Sequence, residues 1–159
     1  MRHWTGAGLV ASAIGIALLA GAPGGGAQDQ TGAIKERQAL MKKQAEDLKV
    51  IQSYVTGETS RETAIAKANE LLTLPPRIAG LFPPGTSNVE FPKATHAKPE
   101  IWQRWDRFKQ VPIALGRAEQ QLAEAVKSGR KQNVLDELDN VGRTGCGACH
   151  TYFRAPLKD

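Results

Sequence analysis

The chain has 159 residues, enough for one domain with a single core, and its 21 Lys and Arg against 16 Asp and Glu give a net charge of +5. That excess favours acidic partners or anionic surfaces through electrostatic steering. It does not fit a nucleic-acid binder, because no dense Lys/Arg block interleaved with aromatic residues occurs.

The first 27 residues read as a secretory signal peptide. Arg2 and His3 supply a positive start, Leu9 to Ala20 an apolar run, and Gly25-Gly26-Ala27 the small residues of a cleavage site after Ala27. The run is too short to span a bilayer as an anchor and is followed by Pro23 and glycines. Cleavage leaves residues 28–159 as the working domain and removes Arg2 alone among the charged side chains.

A long helix is predicted from an N-cap at Asp29 or Thr31 to about Val55, with Ile34, Met41, Leu48 and Val55 at heptad spacing, Ala45 and Ile51 filling the stripe, and Gly57 as terminator. Thr59 or Ser60 caps a second helix carrying Ile65, Ala68, Leu71 and Leu72, which Pro75 and Pro76 stop or bend. From Phe82 to Lys98 the prolines and Gly85 break any periodicity, so a crossover loop is expected, long enough to cover a ligand. A third helix should open at Pro99 and run to about Ser128. Its stripe is Ile101, Trp105, Phe108, Pro112, Leu115, Leu122 and Val126, kinked at Pro112 and closed by Gly129. A fourth should run from Lys131 to about Arg154 through Leu135, Leu138 and Val141, with Pro156 barring continuation. Four amphipathic helices without a strand pattern predict an all-α, antiparallel four-helix bundle.

The fourth helix leads onto Cys146-Gly147-Ala148-Cys149-His150, nine residues from the C-terminus. C-x-x-C-H is the attachment signature of haem c: at i, i+3 and i+4 both thiols and the imidazole leave one helical face, so the thiols can add to two vinyl groups while His150 reaches iron. A redox dithiol would expect a βαβ surround, and a zinc site a second Cys pair; the chain has neither pattern. Attachment of haem c takes place outside the cytoplasmic membrane in bacteria, in agreement with the leader. Met41, the one methionine outside the leader, is the candidate sixth ligand on the opposite side of the iron, and an ordinary core filler is the competing role. Arg37, one turn before Met41, and Arg154, one turn after His150, are candidates to neutralise haem propionates. Phe82 and Trp105 could shield the macrocycle. His96 reads as a loop residue.

These residues resemble the class II c-type cytochromes, the group of cytochrome c′ and the low-spin cytochromes c-556. The likeness rests on Arg37-Gln38-x-x-Met41, Phe82-Pro-Pro-Gly85-Thr86, Lys98-Pro-Glu-Ile-Trp102 and the C-terminal C-x-x-C-H with Arg154. It implies one haem c on Cys146 and Cys149, His150 as proximal ligand, Arg37 near a propionate, a periplasmic location in a Gram-negative bacterium, redox partner proteins, and either a monomer or a homodimer. Of the two branches, a thioether positioned over iron favours a low-spin His/Met electron carrier; the alternative is a high-spin, five-coordinate protein that binds NO or CO. No nucleophile–base pair or pair of catalytic carboxylates suggests an enzyme.

Overall fold

A computed structural model describes residues 25–156, with side chains from Asp29 onward. The signal peptide expected over residues 1–27 therefore lies outside the described residues, apart from the backbone of its last three. Helix α1 spans Gly25–Thr56, α2 Arg61–Leu71, α3 Pro75–Ile78, α4 Glu100–Gln103, α5 Trp105–Ser128, α6 Lys131–Asn140 and α7 Ala148–Phe153. A 3-10 turn, Ala79–Leu81, follows α3, and a π-helical turn, Val141–Gly147, joins α6 to α7. The long helices α1, α2, α5 and the composite of α6, π turn and α7 make the four-helix bundle. Among the described residues no helix is long and apolar enough to cross a membrane.

Helix ends follow local chemistry. Ser60 accepts a hydrogen bond from the Thr63 N–H at 3.2 Å and caps α2. Gly57 (φ 89°) and Gly129 (φ 75°) take the left-handed conformation that ends α1 and α5. Neither Asp29 nor Thr31 is a cap, because α1 already runs through both. Pro75 does not end structure; its fixed φ opens α3. The third long helix is not continuous from Pro99: Arg104 (φ −125°, ψ 43°) separates α4 from α5. Pro112 sits inside α5, 11 residues before Ala123 on the same buried face.

The core joins Leu40, Ile51, Leu71, Phe108, Leu122, Val126, Val134 and Val141, all nearly without exposure. The buried stripe of α1 departs from the heptad reading. Its most buried positions are Ile34, Arg37, Leu40, Gln44, Asp47, Ile51 and Tyr54, whereas Met41, Leu48 and Val55 are half-buried and Ala45 is exposed. Asp47 draws this stripe toward α2 by pairing with Lys43 and, at 3.6 Å, with Lys67; both lysines also hold Glu70. In α6 the core residue is Val134, and Leu135 points outward at 42% exposure.

The fourth helix widens where the sequence pattern suggested a regular one. From Val141 to Gly147 the backbone is π-helical, and Gly145 packs against α5 at Leu115. A Cβ at Gly145 would run into Leu115 Cδ1 and come within 3.4 Å of the Leu115 Cα, so α5 can approach this closely only because Gly145 has no side chain. Gly145→Ala should therefore destabilise the fold by about 1–3 kcal/mol through overpacking. In a double-mutant cycle with Leu115→Ala, measured by chemical denaturation, the alanine at 145 should cost less once Leu115 is truncated.

Candidate haem site

The π turn and α7 present the motif toward α1, α3 and α5. Cys146 lies in the π turn and Cys149 and His150 in the first turn of α7, so the three residues span a change of helical pitch rather than one regular helix. Both thiols are half-buried, and His150 is open to solvent on one side. Two adjoining cavities meet the motif. One, of about 290 Å³, is walled by Arg37, Met41, Phe82, Ile101, Phe108, Cys149, His150 and Phe153, with Gln38, Thr95, His96 and Arg154 at its edges. The other is fully apolar at its mouth and lies between Met41, Gln44, Ile78, Leu115, Cys146 and His150. Met41, Cys149 and His150 border both.

Aromatic rings close the first cavity from behind. Phe108 is met edge-on by Phe82 at 4.8 Å and by Phe153 at 5.4 Å, and stacks with Trp105 at 5.4 Å. Trp105 thus supports the wall without lining it. Trp102 Nε1–H donates to the Phe82 carbonyl at 3.0 Å and holds that ring in place.

The cavity roof is the segment from Phe82 to Lys98, and Arg37 organises it. Its guanidinium donates to Thr86 Oγ1 at 2.8 Å, to the Thr86 carbonyl at 2.7 Å and to Thr95 Oγ1 at 2.7 Å, and lies 4.6 Å from the Phe82 ring centroid. Arg37 is 4% exposed, yet every one of these acceptors is neutral. Burial without a paired carboxylate lowers its pKa to about 10. The roof is strapped to the C-terminus by the Lys98 N–H to the Phe153 carbonyl at 2.9 Å and the Ala155 N–H to the His96 carbonyl at 2.8 Å. That strap brings His96 to the cavity edge beside His150 and Arg154, a placement invisible in the sequence because it depends on pairing Ala97 with Arg154.

The site's electrostatics are those of a sparsely hydrated pocket. Burial pushes the Cys146 thiol up and Cys149 to about 11, the second aided by its neighbour Cys146. The His150 imidazole is shifted down, by burial of its inner side and by the Arg154 cation. A neutral imidazole keeps a lone pair free for a metal.

These features fit a covalently held, anionic macrocycle. Two thiols and an imidazole border adjoining apolar cavities, and a buried cation lacking a carboxylate lines one of them. A four-helix bundle whose last helix carries C-x-x-C-H against such a cavity is a class II c-type cytochrome. The family model described as Cytochrome C′ matches residues 32–154, and the chain belongs to that family. Cytochrome c′ of Pararhodospirillum photometricum is 26% identical over 122 residues, which cover 76% of this chain and 94% of that protein. A solved cytochrome c′ with ligand-controlled dimer dissociation superposes at a TM-score of 0.72 with 26% identity, over 80% of this chain and 97% of that one. A ferrous, NO-bound variant of the Alcaligenes xylosoxidans protein superposes at 0.69 with 25% identity, over the same shares of the two chains. The family binds covalent haem c, and Cys146 and Cys149 fit a single attachment.

The family match overturns one expectation. The reading as a low-spin His/Met electron carrier of the c-556 kind gives way, because the matching relatives are cytochromes c′. Met41 borders one cavity wall with Ile78, Val111 and Leu115 and faces the same cavity as Cys149 and His150.

Arg37 provides a test of the roof. Arg37→Met should leave the Thr86 carbonyl unpaired, reduce Thr95 Oγ1 to its bond from the Ala97 N–H and Thr86 Oγ1 to its bond to the Pro83 carbonyl, and cost about 1–3 kcal/mol. Arg37→Lys should not restore it, since one ammonium cannot fork between Thr86 and Thr95. Hydrogen exchange should show the Asn88 amide, which donates to the Ala97 carbonyl at 2.7 Å, losing protection in both variants.

Proposed function

We propose that this chain is a high-spin, five-coordinate cytochrome c′ that binds NO or CO on the Met41 side of its haem, and that it works in the periplasm of a Gram-negative bacterium. The observation that carries the reading is the apolar cavity between Met41 and His150 in a chain of the cytochrome c′ family. The NO-bound relative from Alcaligenes xylosoxidans supports the choice of ligand.

The bound haem would supply an iron with one open coordination position. The protein's own residues account for the rest. Cys146 and Cys149 form the two thioether links, and His150 gives its neutral imidazole nitrogen to the proximal side. Arg37 and Arg154 stand where propionates would need cations. Phe82, Ile101 and Phe108 keep water from the pocket, so a small uncharged gas enters at lower cost than water or an anion. Met41 stays a wall. Helix α1 is tied on both sides of it, by Arg37 to the roof and by Gln44 to Glu119 on α5 at 2.6 Å, so the thioether stays where packing holds it. Capture of a gas in this way is binding rather than turnover. The dimer of the relative with ligand-controlled dissociation supports a homodimer for this chain as well.

Expressed with its leader in a host that matures haem c, the protein should keep its haem through acid–acetone extraction, and the Cys146→Ser, Cys149→Ser double variant should not. The ferric spectrum should be high-spin without the weak far-red sulfur-to-iron band, and the ferrous protein should bind CO and NO. Met41→Leu should leave the spin state unchanged and cost less than about 1.5 kcal/mol, because the two side chains have similar volume. A low-spin ferric protein that becomes high-spin only in Met41→Leu would overturn the assignment.

A further inference from the structure

One buried acid has no part in the reading above. Glu119 of α5 is 1% exposed, with no cation paired to it among the described residues. Gln44 Nε2–H donates to Glu119 Oε1 at 2.6 Å, whereas Glu119 Oε2 and Gln44 Oε1 are both left without a partner. A carboxylate cannot repair this, having only acceptors to offer. A carboxylic acid can, because its O–H supplies a donor where the carboxylate has none. Two orphan acceptors on side chains already joined by a 2.6 Å hydrogen bond are what a protonated acid beside a primary amide would relieve.

The groups around it push the same way. From α1 come Gln44 and the Asp47 carboxylate, whose own partners are Lys43 and Lys67; Lys67 and Glu70 belong to α2. From the π turn comes Cys146, and α7 contributes His150, turned toward Arg154. From α6, Asn140 meets α5 at Gln121, outside the core. Burial first, then repulsion by Asp47, outweigh the Gln44 hydrogen bond and raise the Glu119 pKa to about 8.

Glu119 is also electrostatically coupled to the site. Its negative charge is felt at Cys146, where it strengthens the thiol's hold on its proton. Once that sulfur is a thioether it no longer titrates, and the coupling falls on the macrocycle attached to it. Gln44 itself borders the cavity between Met41 and Cys146.

We propose that Glu119 is a redox-linked proton site, binding a proton when the haem iron is reduced and releasing it when the iron is oxidised. One electron from an external one-electron donor takes iron from ferric to ferrous. One proton from solvent forms the O–H bond at Glu119 Oε2, which can then donate a hydrogen bond where the carboxylate could not. Ferric haem carries one more positive charge than ferrous, so it favours the carboxylate, and by reciprocity the neutral acid favours oxidation less than the anion does. The Glu119 pKa must accordingly be lower in the ferric than in the ferrous protein, and between those two values the reduction potential falls as pH rises.

The proposal rests on the haem reading but not on the coordination number. The test is a redox titration of the holoprotein between about pH 6 and pH 10, on material shown by mass to carry covalent haem. Wild type should show a segment around pH 8 whose slope approaches ~59 mV per pH unit, a tenfold change in the reduction equilibrium per unit. Glu119→Gln, which keeps size and hydrogen bonding but carries no proton, should be flat there. A flat wild type, or a variant with the wild-type slope, overturns the proposal alone; a chain that takes up no haem overturns the haem reading with it. Should Glu119→Gln misfold, reduction-minus-oxidation infrared spectra of wild type at pH 8 decide: a carboxylic-acid carbonyl band gained on reduction supports the proposal, and its absence overturns it.

Discussion

A buried guanidinium with neutral acceptors alone holds this molecule's pocket in shape. Desolvating Arg37 is unfavourable, and the three hydrogen bonds it donates to two threonines recover part of that loss. They also decide the course of the segment from Phe82 to Lys98, which would otherwise have little reason to fold over the bundle. With the roof in place, Trp102 can hold Phe82, Phe82 can meet Phe108, and the strap to Phe153 and Ala155 can close. A haem propionate beside Arg37 would complete this arrangement, since it would supply the charge that the threonines cannot.

A second constraint acts from the opposite wall. Leu115 of α5 fits against Gly145, and the π turn offsets the following residues, so Cys146 faces one cavity while Cys149 and His150 face two. Glycine and π geometry each weaken a helix in isolation. Here that local stability is exchanged for the close approach of α5, which Gly145 alone permits.

The four long helices, their glycine terminators and the Ser60 cap were legible because they depend on spacing and backbone preference within one segment. The haem motif was legible because its meaning lies in five consecutive residues. Other features depend on partners far away in the chain. The buried face of α1 could not be placed from its apolar heptad, because Arg37, Gln44 and Asp47 are buried through partners on the roof, α5 and α2. Nothing in the sequence around Glu119 sets it apart from the exposed charges of α5. Spacing could not separate a ligating from a packing Met41 either, since both roles need the same position. The break at Arg104 carries no composition signal that would separate it from a continuous helix, and the glycines at 142, 145 and 147 mark a weak stretch without revealing its π pitch.

The protonated thiols place a condition on the order in which this protein is built. A thiol adds to a vinyl group best as thiolate, and in the packed bundle Cys149, with its pKa near 11, is ionised in only about one molecule in ten thousand at neutral pH. In an unfolded chain the same side chain has an ordinary thiol pKa and is ionised a few hundred times more often. The reactive form of the motif is thus the open one, and packing of α5 against the π turn extinguishes it. On the proposed export, a motif in the last described helix would leave the membrane after most of the bundle, which would then be free to begin collapsing. Haem delivery would have to outrun that collapse, and a glycine-rich turn, weak on its own, would keep the cysteines open for longer.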